Sequence, residues 1–277
     1  MPAIQPPPAG RRGRGDYNAP MRSPSLKIFR TGLHLLSGAL TVLLLFPHLD
    51  RDERARRVTR WATGLLALLG VSVRVMGRPP LVRAGGALLA ANHVSWLDIH
   101  LLHSLLPARF VSKAEVRGWP LIGWLAEAAG TVFLVREKKS DAKRVNDVMA
   151  EHLRLGDCLA LFPEGTTSDG SRVLPFYPSL FQPAVDAGAQ VWPVRIRYLT
   201  PTGNPCPEAA YHGGMSLGQS FMQVVRMGGL VAEVHFLPPI DGKGLARRDL
   251  ARAAEAAIRG ADDVPDSAPG STARRPA

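Results

Sequence analysis

The sequence predicts an α/β protein: a central, mixed but largely parallel sheet with helices on its faces. Three observations carry that prediction. From residue 71 to residue 259, short apolar runs of buried-strand length alternate with longer runs of helical period, the pattern of parallel sheets with crossover helices. The chain's 277 residues are enough to bury one large core, and 46% of them are hydrophobic. Two further apolar segments precede the alternation and stand outside it.

In chain order, residues 1–26 are rich in Pro, Gly and Arg without periodicity and read as a disordered basic arm. A signal peptide is not expected, because the apolar run starts late and no small-residue cleavage site follows it. Residues 27–69 read as a helical pair. Its first apolar run, Thr31 to Phe46, is closed by Pro47. As a helix it rises roughly 24 Å, short of the ~30 Å hydrocarbon thickness of a bilayer. Between Arg51 and Arg60 stand five arginines against two acids, and the shorter run Trp61–Leu69 follows. Arm and loop are both basic, so the positive-inside rule wants both on the cytoplasmic face. A monotopic or re-entrant pair with arginines on the headgroups satisfies length and charge together. A buried core pair and a true spanning helix are the alternatives.

The α/β region is expected over residues 70–260. Val71–Met76 alternates as a strand does, and Gly77-Arg78-Pro79-Pro80 turns the chain. Further strands are expected at Ala87–Ala91, Phe110–Ser112, Thr131–Val135, Cys158–Phe162, Val191–Tyr198 and Leu230–Phe236. Helices are expected at Ser95–Leu106, Leu121–Ala128, Asp141–Leu155, Leu180–Ala187, Leu217–Met227 and Leu245–Arg259. Residues 261–277 revert to Asp, Pro, Ser and Arg and read as a disordered tail.

The net charge of +11 favours polyanionic partners: anionic lipid headgroups, phosphorylated substrates or nucleic acid. Sequence-selective nucleic-acid binding is disfavoured, since the basic residues are scattered without an aromatic-interleaved stripe or recognised motif. The two cysteines, Cys158 and Cys206, stand far apart with no metal spacing. Cys158 lies in an apolar strand and reads as a buried free thiol, consistent with a reducing, cytoplasmic-side setting. No metal is expected, because no HExxH-like pattern occurs among the histidines.

The stretch from Ala91 to Asp98 organises the function. The strand Ala87–Ala91 is expected to end at Asn92 and a helix to begin near Ser95, a favoured N-cap type. His93 then sits at a strand's carboxyl end, where open α/β sheets bind ligands, with Asp98 close enough to reach back to the imidazole. A neutral His held by a carboxylate removes protons from hydroxyls. No neighbouring Ser or Cys looks like a nucleophile and no GxSxG elbow occurs, so the hydroxyl belongs to a substrate.

Three more stretches follow strands. Gly130–Arg136 delivers Arg136 at the head of a basic cluster with Lys138 and Lys139. Phe162–Ser168 gives a Pro-Glu-Gly turn with three hydroxyl residues, equipped to hold a polyol or phosphate. Val191–Val194 places Pro193 inside a strand, which suits an edge or a site wall.

In this order the four blocks resemble those of the lysophospholipid acyltransferases, above all bacterial 1-acyl-glycerol-3-phosphate acyltransferases: NHxSxxD, GxxFxxR, FPEGTxS and a VPV-like block. With flanking similarity from Phe110 to Val116 and from Trp119 to Gly123, the likeness spans about residues 70 to 240. The resemblance implies a glycerolphosphate-acyltransferase-like fold and an enzyme of phospholipid biosynthesis at the inner membrane, with its catalytic domain on the cytoplasmic side. It implies His93 as general base, oriented by Asp98, acting on the free hydroxyl of 1-acyl-glycerol-3-phosphate to make phosphatidic acid. The acyl group comes from acyl-CoA or acyl carrier protein as co-substrate, without a further cofactor. Lys113 and Arg136 would grip the acceptor phosphate, and Glu164, Gly165 and Thr166 would shape its pocket. One departure stands out: many phosphate-acceptor members carry arginine after FPEGT, where this chain has Thr167, although Arg172 follows five residues later. Relatives that esterify lyso-ornithine lipid, which lacks phosphate, share the block pattern. The rival readings are therefore such an acceptor, or a non-catalytic lipid-binding relative.

Overall fold

A computed structural model of the chain describes residues 23–80, 86–134 and 139–261. The basic arm through residue 22, the tail from residue 262, Val135, Arg136 and Lys138 lie outside the described residues. The elements are α1 (Pro24–Leu40), α2 (Arg51–Leu69), β1 (Val71–Gly77), β2 (Ala87–Ala91), α3 (Leu97–Leu105), β3 (Arg109–Lys113), α4 (Ile122–Ala128), β4 (Val132–Leu134), α5 (Lys139–Arg154), β5 (Cys158–Leu161), α6 (Gln182–Ala187), β6 (Gln190–Leu199), α7 (Leu217–Arg226), β7 (Leu230–Phe236), β8 (Ile240–Asp241) and α8 (Arg247–Gly260).

One sheet runs in the order β1-β7-β6-β2-β5-β3-β4, with β8 also on β6. From β6 to β4 every neighbouring pair is parallel, β7 and β8 pair with β6 antiparallel, and β1 pairs with β7 parallel. The sheet is thus mixed and largely parallel. Its central strands β2 and β5 are buried along their whole length, as unbroken apolar runs require when helices cover both faces. Cys158 is buried there as a free thiol, and burial pushes it up to about 12.

Pro193 does not lie at an edge. It sits in β6, opposite Ala90 of β2. On the other side, pairing with β8 covers Gln190 and Val191 and pairing with β7 resumes at Val194. Pro193 occupies the gap between those two pairings, where its missing N–H interrupts neither ladder.

The helical pair is longer than its apolar runs. Ser23 caps α1 by accepting from the Leu26 amide at 3.3 Å, with Pro24 in the first turn. A wide turn at Thr41–Leu45 then carries the helical path on to His48. The resulting 25-residue helical path, whose most apolar 18-residue window has a mean hydropathy of 1.6, is long and apolar enough to cross a membrane. The length argument against spanning therefore falls, and the charge argument remains. Asp50 caps α2 by accepting from Glu53 N at 2.8 Å, so the arginine-rich stretch is helical as well.

The two helices form a hairpin. Trp61 Nε1 donates to His34 O at 3.0 Å, His34 Nε2 lies 2.9 Å from Trp61 O, and the two rings stack. Gly38 is required beneath them, since a Cβ there would come within 2.5 Å of the Trp61 ring. Leu65, Leu66 and Leu69 of α2 are buried in the same core as β2, β6 and β7, so the boundary at residue 69 is not a break in packing. By contrast Phe29 and Leu36 of α1, and Leu43 and Leu44 of the wide turn that follows it, are mostly exposed.

Candidate active site

Strand β2 ends at Ala91 because Asn92 turns its side chain onto the neighbouring strand. Asn92 Oδ1 accepts from Ile196 N at 2.7 Å, and Nδ2 donates to Ile196 O at 3.0 Å. The chain then leaves the sheet, and residues 93–95 wrap around the Asp98 carboxylate. Asp98 Oδ2 accepts from the Val94 and Ser95 amides at 2.7 and 2.9 Å and lies 2.8 Å from His93 Nδ1. Asp98 Oδ1 accepts from the Tyr198 hydroxyl at 2.6 Å. Asp98 is fully buried, and four donors compensate its loss of water. Ser95 is not the helix cap: α3 begins at Leu97, and Ser95 Oγ is buried without a hydrogen-bond partner among the described residues. The Asp98 amide donates instead to the Ser95 carbonyl at 3.1 Å, while the Asp98 carboxylate gathers the two loop amides that precede the helix.

The proton on His93 Nδ1 is assigned by its carboxylate partner, which leaves Nε2 as a lone-pair acceptor. The ring stacks on Phe162, with centroids 3.8 Å apart and planes 8° from parallel. The His93 side chain keeps 17% exposure, into a cavity of about 1250 Å³. Lys113, Gly165 and Thr166 line the same cavity. Leu35, Trp61 and Leu65 of the helical pair and Trp119, Ile122 and Leu125 around α4 give it an apolar wall.

Glu164 lies behind this surface. Its Oε1 accepts from His93 N at 2.9 Å and its Oε2 from Leu174 N at 3.1 Å, and it is only 3% exposed. Burial pushes its carboxyl up to about 7, opposed by those two amides and by Arg195 and assisted by the nearby Asp98 charge. Gly165 follows at φ 70°, with its amide donating to Phe162 O, a left-handed turn that suits glycine. The turn and the catalytic loop are joined again where Ser168 N and Oγ both donate to His93 O, at 2.8 and 3.2 Å.

The structure thus brings His93, Lys113, Gly165 and Thr166 to one cavity, with Asp98 and Glu164 holding the loop from behind; Arg136 falls outside the described residues. Sequence reasoning missed Tyr198, Phe162 and Asn92 as supports of the base. Asn92 and Phe162 lie inside the matched blocks. Tyr198 carries no local signal, because only the β2–β6 pairing brings it to Asp98. Among the described residues, no group of three or more His, Cys, Asp or Glu side chains is arranged to hold a metal ion.

A histidine held by a carboxylate, opening on a cavity with an apolar wall, fits a transferase that acts on a hydroxyl of a lipid-like substrate. An acyltransferase family model matches residues 72–197. The chain is 42% identical over 214 residues to the lyso-ornithine lipid O-acyltransferase of Pseudomonas aeruginosa, covering 77% of this chain and 81% of that protein. It is 38% identical over 186 residues to the 1-acyl-sn-glycerol-3-phosphate acyltransferase of Neisseria meningitidis, covering 67% and 72%. The crystal structure of the Thermotoga maritima 1-acyl-sn-glycerophosphate acyltransferase, PlsC, shares the fold at a TM-score of 0.60 and 22% identity, covering 90% of this chain and all of that one. The chain belongs to the lysophospholipid acyltransferase family, and acyl transfer to a lysolipid is its activity.

Proposed function

We propose that the acceptor is lyso-ornithine lipid, esterified at its free hydroxyl by a fatty acyl group from acyl-CoA or acyl carrier protein. His93 Nε2 removes the hydroxyl proton, and the oxygen attacks the thioester carbonyl. The tetrahedral adduct collapses by breaking its C–S bond, and the thiolate takes the proton back from the imidazolium. One O–C bond forms and one C–S bond breaks, so no acyl-enzyme is needed. Asp98 holds the ring tautomer and stabilises the imidazolium as it forms. Lys113 and Arg136 supply positive charge to the anionic parts of both substrates, and Gly165 and Thr166 form the acceptor wall.

The observation that carries the acceptor is Thr167. It lines the cavity with a neutral side chain where the phosphate-acceptor pattern has arginine. Four of the relatives, from Pseudomonas, Rhodobacter, Rhizobium and Brucella, bear the lyso-ornithine name. The second reading, 1-acyl-glycerol-3-phosphate, is favoured by Lys113 on the cavity and by the Neisseria relatives. Retention of both His93 and Asp98 in contact speaks against a non-catalytic relative. The exposed apolar face of α1 and the arginines of α2 support attachment to an anionic, cytoplasmic-facing leaflet.

The test is thioester cleavage by the purified protein, with acyl-CoA and acyl carrier protein donors, against lyso-ornithine lipid and lysophosphatidate. Consumption with lyso-ornithine lipid is expected. Consumption with lysophosphatidate alone overturns the acceptor, and consumption with neither overturns this catalytic reading.

A further inference from the structure

Beside the cavity that holds His93 lies a smaller hollow of about 200 Å³. It is lined by Thr167, Ser168, Asp169, Arg172, Leu174 and His212, with Gly213 at its rim. Thr167, His212 and Gly213 line both spaces, so the hollow adjoins the cavity that His93 opens on.

Both of its walls are fastened to the catalytic loop. On one side, Ser168 donates twice to His93 O, and a Cβ at Gly170 would come within 3.1 Å of the Val94 side chain. On the other, Tyr211 N, one residue before His212, donates to Val94 O at 2.8 Å. The walls of the hollow are thereby held relative to His93 by hydrogen bonds to its loop, which favours positioning of a reacting hydroxyl.

The hollow carries charges of both signs. Asp169 Oδ1 accepts from Ser171 Oγ at 2.6 Å and Ser171 N at 2.9 Å, which fixes the carboxylate and holds its carboxyl below the usual range. Oδ2 takes no part in that turn. Arg172 lines the same hollow, with His212 beside it. A phosphomonoester dianion placed here meets the Asp169 charge. An amino-acid headgroup with one ammonium and one carboxylate meets a partner for each, so the Asp169 charge discriminates as well as binds.

We infer that this hollow is the headgroup subsite for a zwitterionic amino-acid acceptor, with its ammonium on Asp169 and its carboxylate on Arg172 and His212. The inference rests on the lyso-ornithine reading, because ornithine acylated on its α-nitrogen keeps a carboxylate and a side-chain ammonium.

The test compares lyso-ornithine lipid with the same lipid acetylated on its side-chain amine, using the full-length protein in detergent. The wild-type enzyme is expected to show a KM about fivefold higher for the acetylated acceptor at similar kcat, the upper range for a solvent-exposed ion pair. Asp169→Asn is expected to raise KM for the unmodified acceptor by the same factor and to treat the two acceptors alike. Asp169→Ser is assayed in parallel, with circular dichroism to select folded variants. A wild-type enzyme indifferent to acetylation, or folded variants that discriminate as the wild type does, overturns the subsite and leaves the acceptor reading standing. Turnover of lysophosphatidate with neither ornithine acceptor overturns the acceptor reading and the subsite together.

Discussion

Phe162 lies flat on the imidazole of His93, 3.8 Å between centroids, and is itself backed by Phe110 at 5.8 Å. The imidazole proposed as the base is therefore fixed on one face by an aromatic stack and along one edge by a carboxylate. Replacing the flat wall by Phe162→Leu frees the ring to tilt while keeping the apolar volume. The expected result is a kcat about tenfold lower with KM little changed, read from steady-state acyl transfer. His93→Ala removes the base itself, and its loss is expected to be about 10²–10⁴ in rate.

Tyr198 supplies the single hydrogen bond on Asp98 Oδ1 recorded among the described residues, while three groups gather at Oδ2. Tyr198→Phe removes that donor and leaves a buried carboxylate oxygen short of a partner. A loss of about 1.5–3 kcal/mol in unfolding free energy is expected, with kcat falling several-fold. Denaturant melts and kinetics on the same preparation check both.

Acid response separates two buried groups of opposite sign. Burial brings His103 down to about 3, with the neighbouring His100 adding to the shift. Below pH 6.5 the unfolded chain takes up this proton before the folded one, so stability falls as pH drops from 6.5 towards 3. Glu164 behaves oppositely. Its folded value of about 7 lies above the ordinary 4.5, so the folded chain holds a proton that the unfolded chain has released. Its contribution declines as pH rises from 4.5 to 7 and is flat beyond. Thermal melts across pH 3–8 are expected to show His103→Leu with a shallower acid slope than the wild type. An unchanged slope would count against a neutral buried His103.

Thr167→Arg introduces the cation that the resemblance associates with many phosphate-acceptor members after FPEGT. Under the proposed acceptor, the ratio of kcat/KM for lysophosphatidate over lyso-ornithine lipid is expected to rise about tenfold. The gain comes from a charge-assisted contact to phosphate and from crowding of the adjoining hollow. Competition between the two acceptors in one vessel measures the ratio directly.

Seven strands were legible, β1 by its alternation and the others chiefly as short apolar runs, with β2 and β5 buried along their whole length; the two-residue β8 left no such signal. Of the four blocks, those after β2 and β5 put His93, Gly165 and Thr166 on one cavity, whereas Val191–Val194 lies inside β6 and Arg136 falls outside the described residues. The ends of helices were not legible: Ser95 has the composition of a cap, yet its hydroxyl caps nothing and α3 begins at Leu97 with no side-chain cap. Pro193 misled for a related reason. A missing N–H excludes proline from a continuous ladder, and the sequence does not show where two partner strands leave a gap. Glu164 was read as part of a pocket wall, and its carboxylate instead spans two backbone amides.

The helical hairpin has one more implication. Because Leu65, Leu66 and Leu69 belong to the common core and Trp61 lines the cavity, residues 24–69 are not a detachable tether. Truncating the chain at residue 70 to obtain a soluble catalytic fragment would strip one side from the sheet and unroof the reaction chamber, leaving an aggregating remnant in place of a free enzyme. Any preparation that keeps the chemistry has to keep the greasy helix, and with it the detergent.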